Sequence, residues 1–204
     1  NNNLYYFNQY GYMTTSKMQK VGGATYYFGK DGKALKNGIY TDAAGKSYYF
    51  NNDGKRLENG YYSFGVDKWR HFENGVMAVG LTKVKGNSNT YTQYYDAQGI
   101  QIKGDFVTDK DGKVRYFDKK YGNMVTNQFI TNANGQRSFF TWDGTRYENG
   151  YYQFGDKWRH FTNGIMDIGL TQVKGKYKTY TQFYDSQGIQ VKGGFVKDDS
   201  GKLR

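Results

Sequence analysis

The 204-residue chain contains no cysteine and no proline. The first absence rules out a disulfide framework and a thiolate nucleophile or metal ligand; it is neutral on redox compartment. The second leaves the tight turns to Gly, Asp and Asn. Large apolar residues are scarce, with Leu, Ile, Val and Phe together under a fifth of the chain. No apolar run approaches the ~20 residues of a membrane-spanning helix, so no membrane partner is expected. Low aliphatic content, a net charge of +11 and a mean hydropathy of −0.91 would together suggest disorder. The 22 Tyr, 14 Phe and 3 Trp argue against it. Aromatic side chains bury large areas at little entropy cost, so a ladder of them can replace an aliphatic core.

Those aromatics recur in a unit of about 22 residues. Tyr26-Tyr27-Phe28 leads to Asp31-Gly32, Tyr48-Tyr49-Phe50 to Asp53-Gly54, and Arg70-His71-Phe72 to Asn74-Gly75. Gln93-Tyr94-Tyr95, Arg115-Tyr116-Phe117, Ser138-Phe139-Phe140, Arg159-His160-Phe161 and Gln182-Phe183-Tyr184 continue a series that starts at Tyr5-Tyr6-Phe7. Asp31-Gly32, Asp53-Gly54, Asp111-Gly112 and Asp143-Gly144 read as one set of hairpin turns, because Gly accepts the positive φ such turns require. A second glycine series, Gly38, Gly60, Gly80, Gly104, Gly150, Gly169 and Gly193, marks the link to each next hairpin. A unit this short cannot bury an apolar face alone and must stack on its neighbours. The expectation is all-β, a β-solenoid of about nine stacked hairpins, with residues 1–204 forming one module. An elongated rod with many similar grooves suits multivalent binding better than catalysis.

A longer period lies on top. Asp67-Lys68-Trp69-Arg70-His71-Phe72 returns as Asp156-Lys157-Trp158-Arg159-His160-Phe161. Gly99-Ile100-Gln101-Ile102-Lys103-Gly104 returns as Gly188-Ile189-Gln190-Val191-Lys192-Gly193. Four hairpins thus make a larger unit, spanning roughly 48–137 and, incompletely, 138–204. The chain opens without an initiator Met and stops in mid-repeat, so a piece of a longer protein is expected.

Catalytic signals are thin. His71 and His160 occupy one repeat position, with no distinctive Ser or Asp beside either, and read as packed strand residues. Most carboxylates are turn Asp residues. Asp109-Lys110-Asp111-Gly112 resembles the start of a calcium loop, but Lys120 stands where the closing Glu belongs. Neither a catalytic residue, a metal nor a cofactor is expected.

The aromatic-glycine hairpins resemble the cell-wall-binding and glucan-binding repeats shared by choline-binding proteins, clostridial toxin tails and glucansucrases. The strings from Tyr61-Tyr62 through Trp69-Arg70-His71-Phe72 to Ala78, and Tyr94-Tyr95 to Gly104, resemble the C-terminal glucan-binding domain of glucansucrases. The resemblance covers nearly the whole chain. It implies a non-catalytic β-solenoid on a secreted, extracellular transglucosylase. The module would hold dextran-like α-glucan or isomalto-oligosaccharides near a catalytic domain in cis.

The second residue after each turn glycine suggests where sugar would sit. Met dominates that position, but the hairpins at Gln101 and Gln190 place Gln there, with Lys103 and Lys192 two residues on. Strand alternation puts each Gln and Lys on one face, where they offer an acceptor and several donors to hydroxyls. The resemblance implies similar pockets built from Gln, Lys and a stacking Tyr. Tyr91 with Tyr180, or Tyr62 with Tyr152, are the candidate platforms, and Thr92 and Thr181 add a hydroxyl. Three alternatives stay open. Choline requires an aromatic cage, yet the Gly-Trp pair usual in choline-binding repeats is missing. A polyanion such as teichoic acid would use the positive charge, but the charge is scattered over turn corners, so no nucleic acid is expected. A structural spacer would use the aromatics as core alone.

Overall fold

The computed structural model describes residues 2–198 and 200–203, and every helix-or-strand element among them is a β-strand. The chain divides into two compact units, Asn1–Ile102 and Lys103–Arg204. In the first, β1 (Lys17–Val21) pairs with β2 (Ala24–Phe28), and β3 (Gly38–Thr41) with β4 (Ser47–Phe50). There β5 (Gly60–Ser63) pairs with β6 (Trp69–Glu73), which also takes β7 (Val76–Met77), and β8 (Gly80–Lys85) pairs with β9 (Thr90–Tyr95). In the second, β10 (Asp105–Thr108) pairs with β11 (Val114–Phe117), and β12 (Gln128–Thr131) with β13 (Arg137–Phe140). Then β14 (Gly150–Phe154) pairs with β15 (Lys157–Thr162), which takes β16 (Ile165–Met166), and β17 (Gly169–Lys174) pairs with β18 (Thr179–Tyr184). All these pairings are antiparallel and join strands consecutive in sequence. Gly38, Gly60, Gly80, Gly150 and Gly169 open β3, β5, β8, β14 and β17, as the link series implies.

The Asp-Gly turns do not form one series. Asp31-Gly32, Asp53-Gly54 and Asp143-Gly144 lie after the second strand of their hairpins, where the chain folds back for a single bridge such as Phe50↔Arg56. Asp111-Gly112 instead joins the two strands of β10–β11. The same local chemistry builds both turns. Asn51 Oδ1 accepts the amides of Asp53 and Lys55 at 3.0 and 2.9 Å, and Asp109 Oδ1 accepts those of Asp111 and Lys113 at 2.9 Å. A turn signal therefore locates the reversal without revealing which strands it joins. Asp109 also pairs with the Arg115 guanidinium, so its carboxylate serves the hairpin.

From the second triplet onward the last aromatic forms the core, whereas Phe7 of the first is exposed. Phe50, Phe72, Tyr95, Phe117, Phe140, Phe161 and Tyr184 are completely buried, and Phe28 nearly so. Between several hairpins, the residue second after the turn glycine packs on the next hairpin's turn glycine. A β-carbon on Gly99 would lie 2.5 Å from the Met77 sulfur, and one on Gly188 2.6 Å from that of Met166. Arg56 covers Gly75 and Arg146 covers Gly164 in the same way. Backbone hydrogen bonds tie the same positions to the preceding hairpin, as from Arg56 N to Thr25 O (2.8 Å) and Arg146 N to Val114 O (2.8 Å).

Candidate functional site

Each unit contains the same polar-aromatic cluster, assembled from two neighbouring hairpins. In the first unit, Tyr61 on β5 donates to Gln93 Oε1 on β9 at 2.7 Å, and Tyr95 donates to the same oxygen at 2.6 Å. The Tyr61 ring stands edge-on to His71, centroids 4.7 Å apart. In the second, Tyr151 and Tyr184 both donate to Gln182 Oε1, and Tyr151 stands edge-on to His160 at 4.6 Å. Burial pushes the Tyr95 and Tyr184 phenols far above their ordinary range, so both remain protonated donors. Tyr61 and Tyr151 keep 43% and 38% exposure. A ring held by its hydroxyl and by a neighbouring histidine, yet still partly exposed, can meet a ligand without first losing side-chain entropy.

The two clusters differ at one point. His160 Nδ1 meets the Asp167 carboxylate at 2.5 Å. In the first unit Ala78 takes that place, and the buried His71 Nδ1 has no hydrogen-bond partner among the described residues. Burial holds the His71 pKa below its ordinary value.

The residues singled out from the sequence are placed as follows. Gln101 bridges Tyr95, donates its backbone N–H to Trp69 O at 2.8 Å, and is only 5% exposed. Opposed residues of an antiparallel pair share a face, so Gln101 lies on the inward face of Gln93 and Tyr95. Lys103 begins the second unit and is half-buried. Gln190 bridges Tyr184 and is half-buried, while Lys192 is exposed. Between them, Val191 lines a groove of about 490 Å³ with Leu170, Thr181, Gln182 and Phe183. Thr181 also accepts from Gln172 Nε2 at 2.8 Å. Tyr91 and Tyr180 are half-exposed, and Tyr180 carries Lys178 Nζ 5.1 Å over its ring. Thr92 faces Lys83 across β8–β9. Tyr62 packs edge-on to Phe72 and donates to Asn59 O at 3.2 Å, and Tyr152 packs against Phe139 and Tyr147. The structure therefore joins Thr181 to one groove, sets Tyr152 against Phe139 of the neighbouring hairpin and beside a second groove, and leaves Tyr62 on its own hairpin.

Comparison with known proteins bears on this geometry. The choline-binding repeat family matches residues 14–61 and 78–129. Glucosyltransferase-I of Streptococcus downei is 43% identical over 99% of the chain, which spans 15% of that protein. Glucosyltransferase-I of Streptococcus mutans serotype c is 41% identical over 91% of the chain and 9% of its own length. The chain is thus similar both to choline-binding repeats and to the small share of these glucosyltransferases that it spans. The same fold recurs in the solved structure of CbpJ from Streptococcus pneumoniae, at a TM-score of 0.67 and 20% identity over 97% of this chain and 74% of that one. Choline binding protein F from the same organism gives 0.65 at 24% identity, over 98% and 74%.

Sequence reasoning missed Tyr61, Gln93, His71 and Tyr95 as a group in this repeat module. A signal was present, since Tyr61, His71, Tyr95 and Gln93 all return in the second copy as Tyr151, His160, Tyr184 and Gln182.

Proposed function

We propose that this module is non-catalytic and binds dextran-like α-glucan through several weak, similar sites, keeping polymer beside the catalytic domain of a secreted, extracellular sucrose-using transglucosylase. The observation that carries the proposal is the match of nearly the whole chain to a small share of glucosyltransferases. The half-open Tyr61 and Tyr151 rings add a physical reason. A sugar presents an apolar C–H face to an aromatic platform and hydroxyls to its polar rim. Gln190 and Lys192 flank the Val191 that lines the Thr181–Gln182 groove and would supply that rim from its border, with Lys103, beside the buried Gln101, doing so in the other copy. Packing of turn glycines such as Gly75, Gly99, Gly164 and Gly188 under the previous hairpin supports a β-solenoid of about nine hairpins, in two unequal duplicated blocks.

Affinity electrophoresis against dextran, starch, choline and heparin tests the proposal. Retardation by dextran, little changed by salt, is expected. Retention by choline alone, or heparin retention that collapses with salt, would favour the choline or polyanion alternatives.

A further inference from the structure

The second unit carries an exposed indole that the repeated cluster does not use. Trp142 sits in the turn after β13 and is 77% exposed. It borders a groove of about 380 Å³ whose lining includes Lys113, Asp143, Thr145, Glu148 and Tyr152. The corresponding turn of the other copy, Asn51–Lys55, places Asn52 where Trp142 stands and Lys55 where Thr145 stands. The platform is thus an addition to a turn that folds without it.

The polar wall beside the indole is fixed in advance. Thr141 Oγ1 donates to Asp143 Oδ1 at 2.6 Å, Thr145 Oγ1 donates to Asp143 Oδ2 at 3.0 Å, and the Thr145 amide donates to Oδ1 at 3.1 Å. The Thr141 hydroxyl leads the interactions that hold the Asp143 pKa below its usual value, so the group is an ionised acceptor. Arg146 grips Glu148 through both carboxylate oxygens at 2.9 and 3.0 Å. Lys113 Nζ lies 3.9 Å from Asp143. Each carboxylate therefore already has a cation. That argues for a neutral ligand rich in hydroxyls over an organic cation. The Tyr147 and Tyr152 rings meet at 73°, edge against face, and do not form the parallel walls of an ammonium cage.

We propose that Trp142 and the Asp143 turn form a saccharide-binding site specific to the second unit, taking a glucose ring of the same α-glucan. The pyranose face stacks on the indole while adjacent hydroxyls donate to Asp143. This inference rests on the glucan-binding reading but uses none of the residues of the Gln190–Lys192 strand.

The test follows the three indole N–H resonances of the chain during titration with isomaltotriose. The Trp142 signal, assigned with the Trp142→Asn variant, is expected to shift, and to shift equally in Gln190→Ala/Lys192→Ala. Asp143→Asn is expected to weaken that response about tenfold. Trp142→Asn restores the residue of the companion turn, and an unchanged amide spectrum will report its fold. A still Trp142 signal while other resonances move would overturn the site and leave glucan binding standing. No movement anywhere, with dextran retention also absent, would overturn both. A Trp142 shift with choline chloride but not with isomaltotriose would reject a sugar site.

Discussion

Phe72 and Phe161 show what a single residue contributes. Both are fully enclosed at the end of a strand, and the core has few aliphatic side chains to close over a cavity. Phe72→Ala is expected to cost about 3–5 kcal/mol in urea unfolding. His71 gives a pH signature. Its pKa lies below the ordinary 6.5 because burial penalises the cation. The unfolded chain therefore binds the proton more readily. Stability should be flat above about pH 6.5, fall as pH drops through that value, and level off below the folded pKa. Ala78→Asp supplies the carboxylate that His160 already has in Asp167, and should shrink this acid loss. Denaturation midpoints at pH 7 and pH 5 for both proteins check it; an equal loss in the two would show that His71 is not the group responsible.

At the scale of the hairpin, the turn glycine is a packing residue as well as a conformational one. Gly99 has φ +74° and lies against Met77, whereas Gly112 has φ +75° with open space where a β-carbon would go. Gly112→Ala should cost only the left-handed strain, about 1–2 kcal/mol. Gly99→Ala should cost clearly more, and the excess should largely vanish in a Met77→Ala background. Additive losses in that double-mutant cycle would mean the two hairpins do not lock at this point. These elements also show how far the sequence could be read. Aromatic triplets and glycine turns were legible because both are local. The pairing of turns with strands was not, since Asn51 and Asp109 use the same hydrogen bonds in different roles. Nor was the choice between Tyr61 and Tyr62, because adjacent aromatics leave period-2 alternation without a preferred face. The Tyr61–Gln93 bond joins residues 32 apart on different hairpins, beyond any local pattern.

For the whole molecule, the central claim is that several weak sugar contacts act together on one polymer. The chain spans 15% of the length of Glucosyltransferase-I of Streptococcus downei. The most direct measurement compares the affinity of the chain for dextran with its affinity for isomaltotriose, by titration calorimetry at matched glucose concentration. Once one site holds a polymer, each further contact is intramolecular. The account predicts tighter binding of dextran, on the order of a hundredfold, and loss of most of that advantage when Gln101, Lys103, Gln190 and Lys192 are all replaced by Ala. Equal affinity for polymer and trisaccharide, or no binding of either by the folded chain, would contradict it.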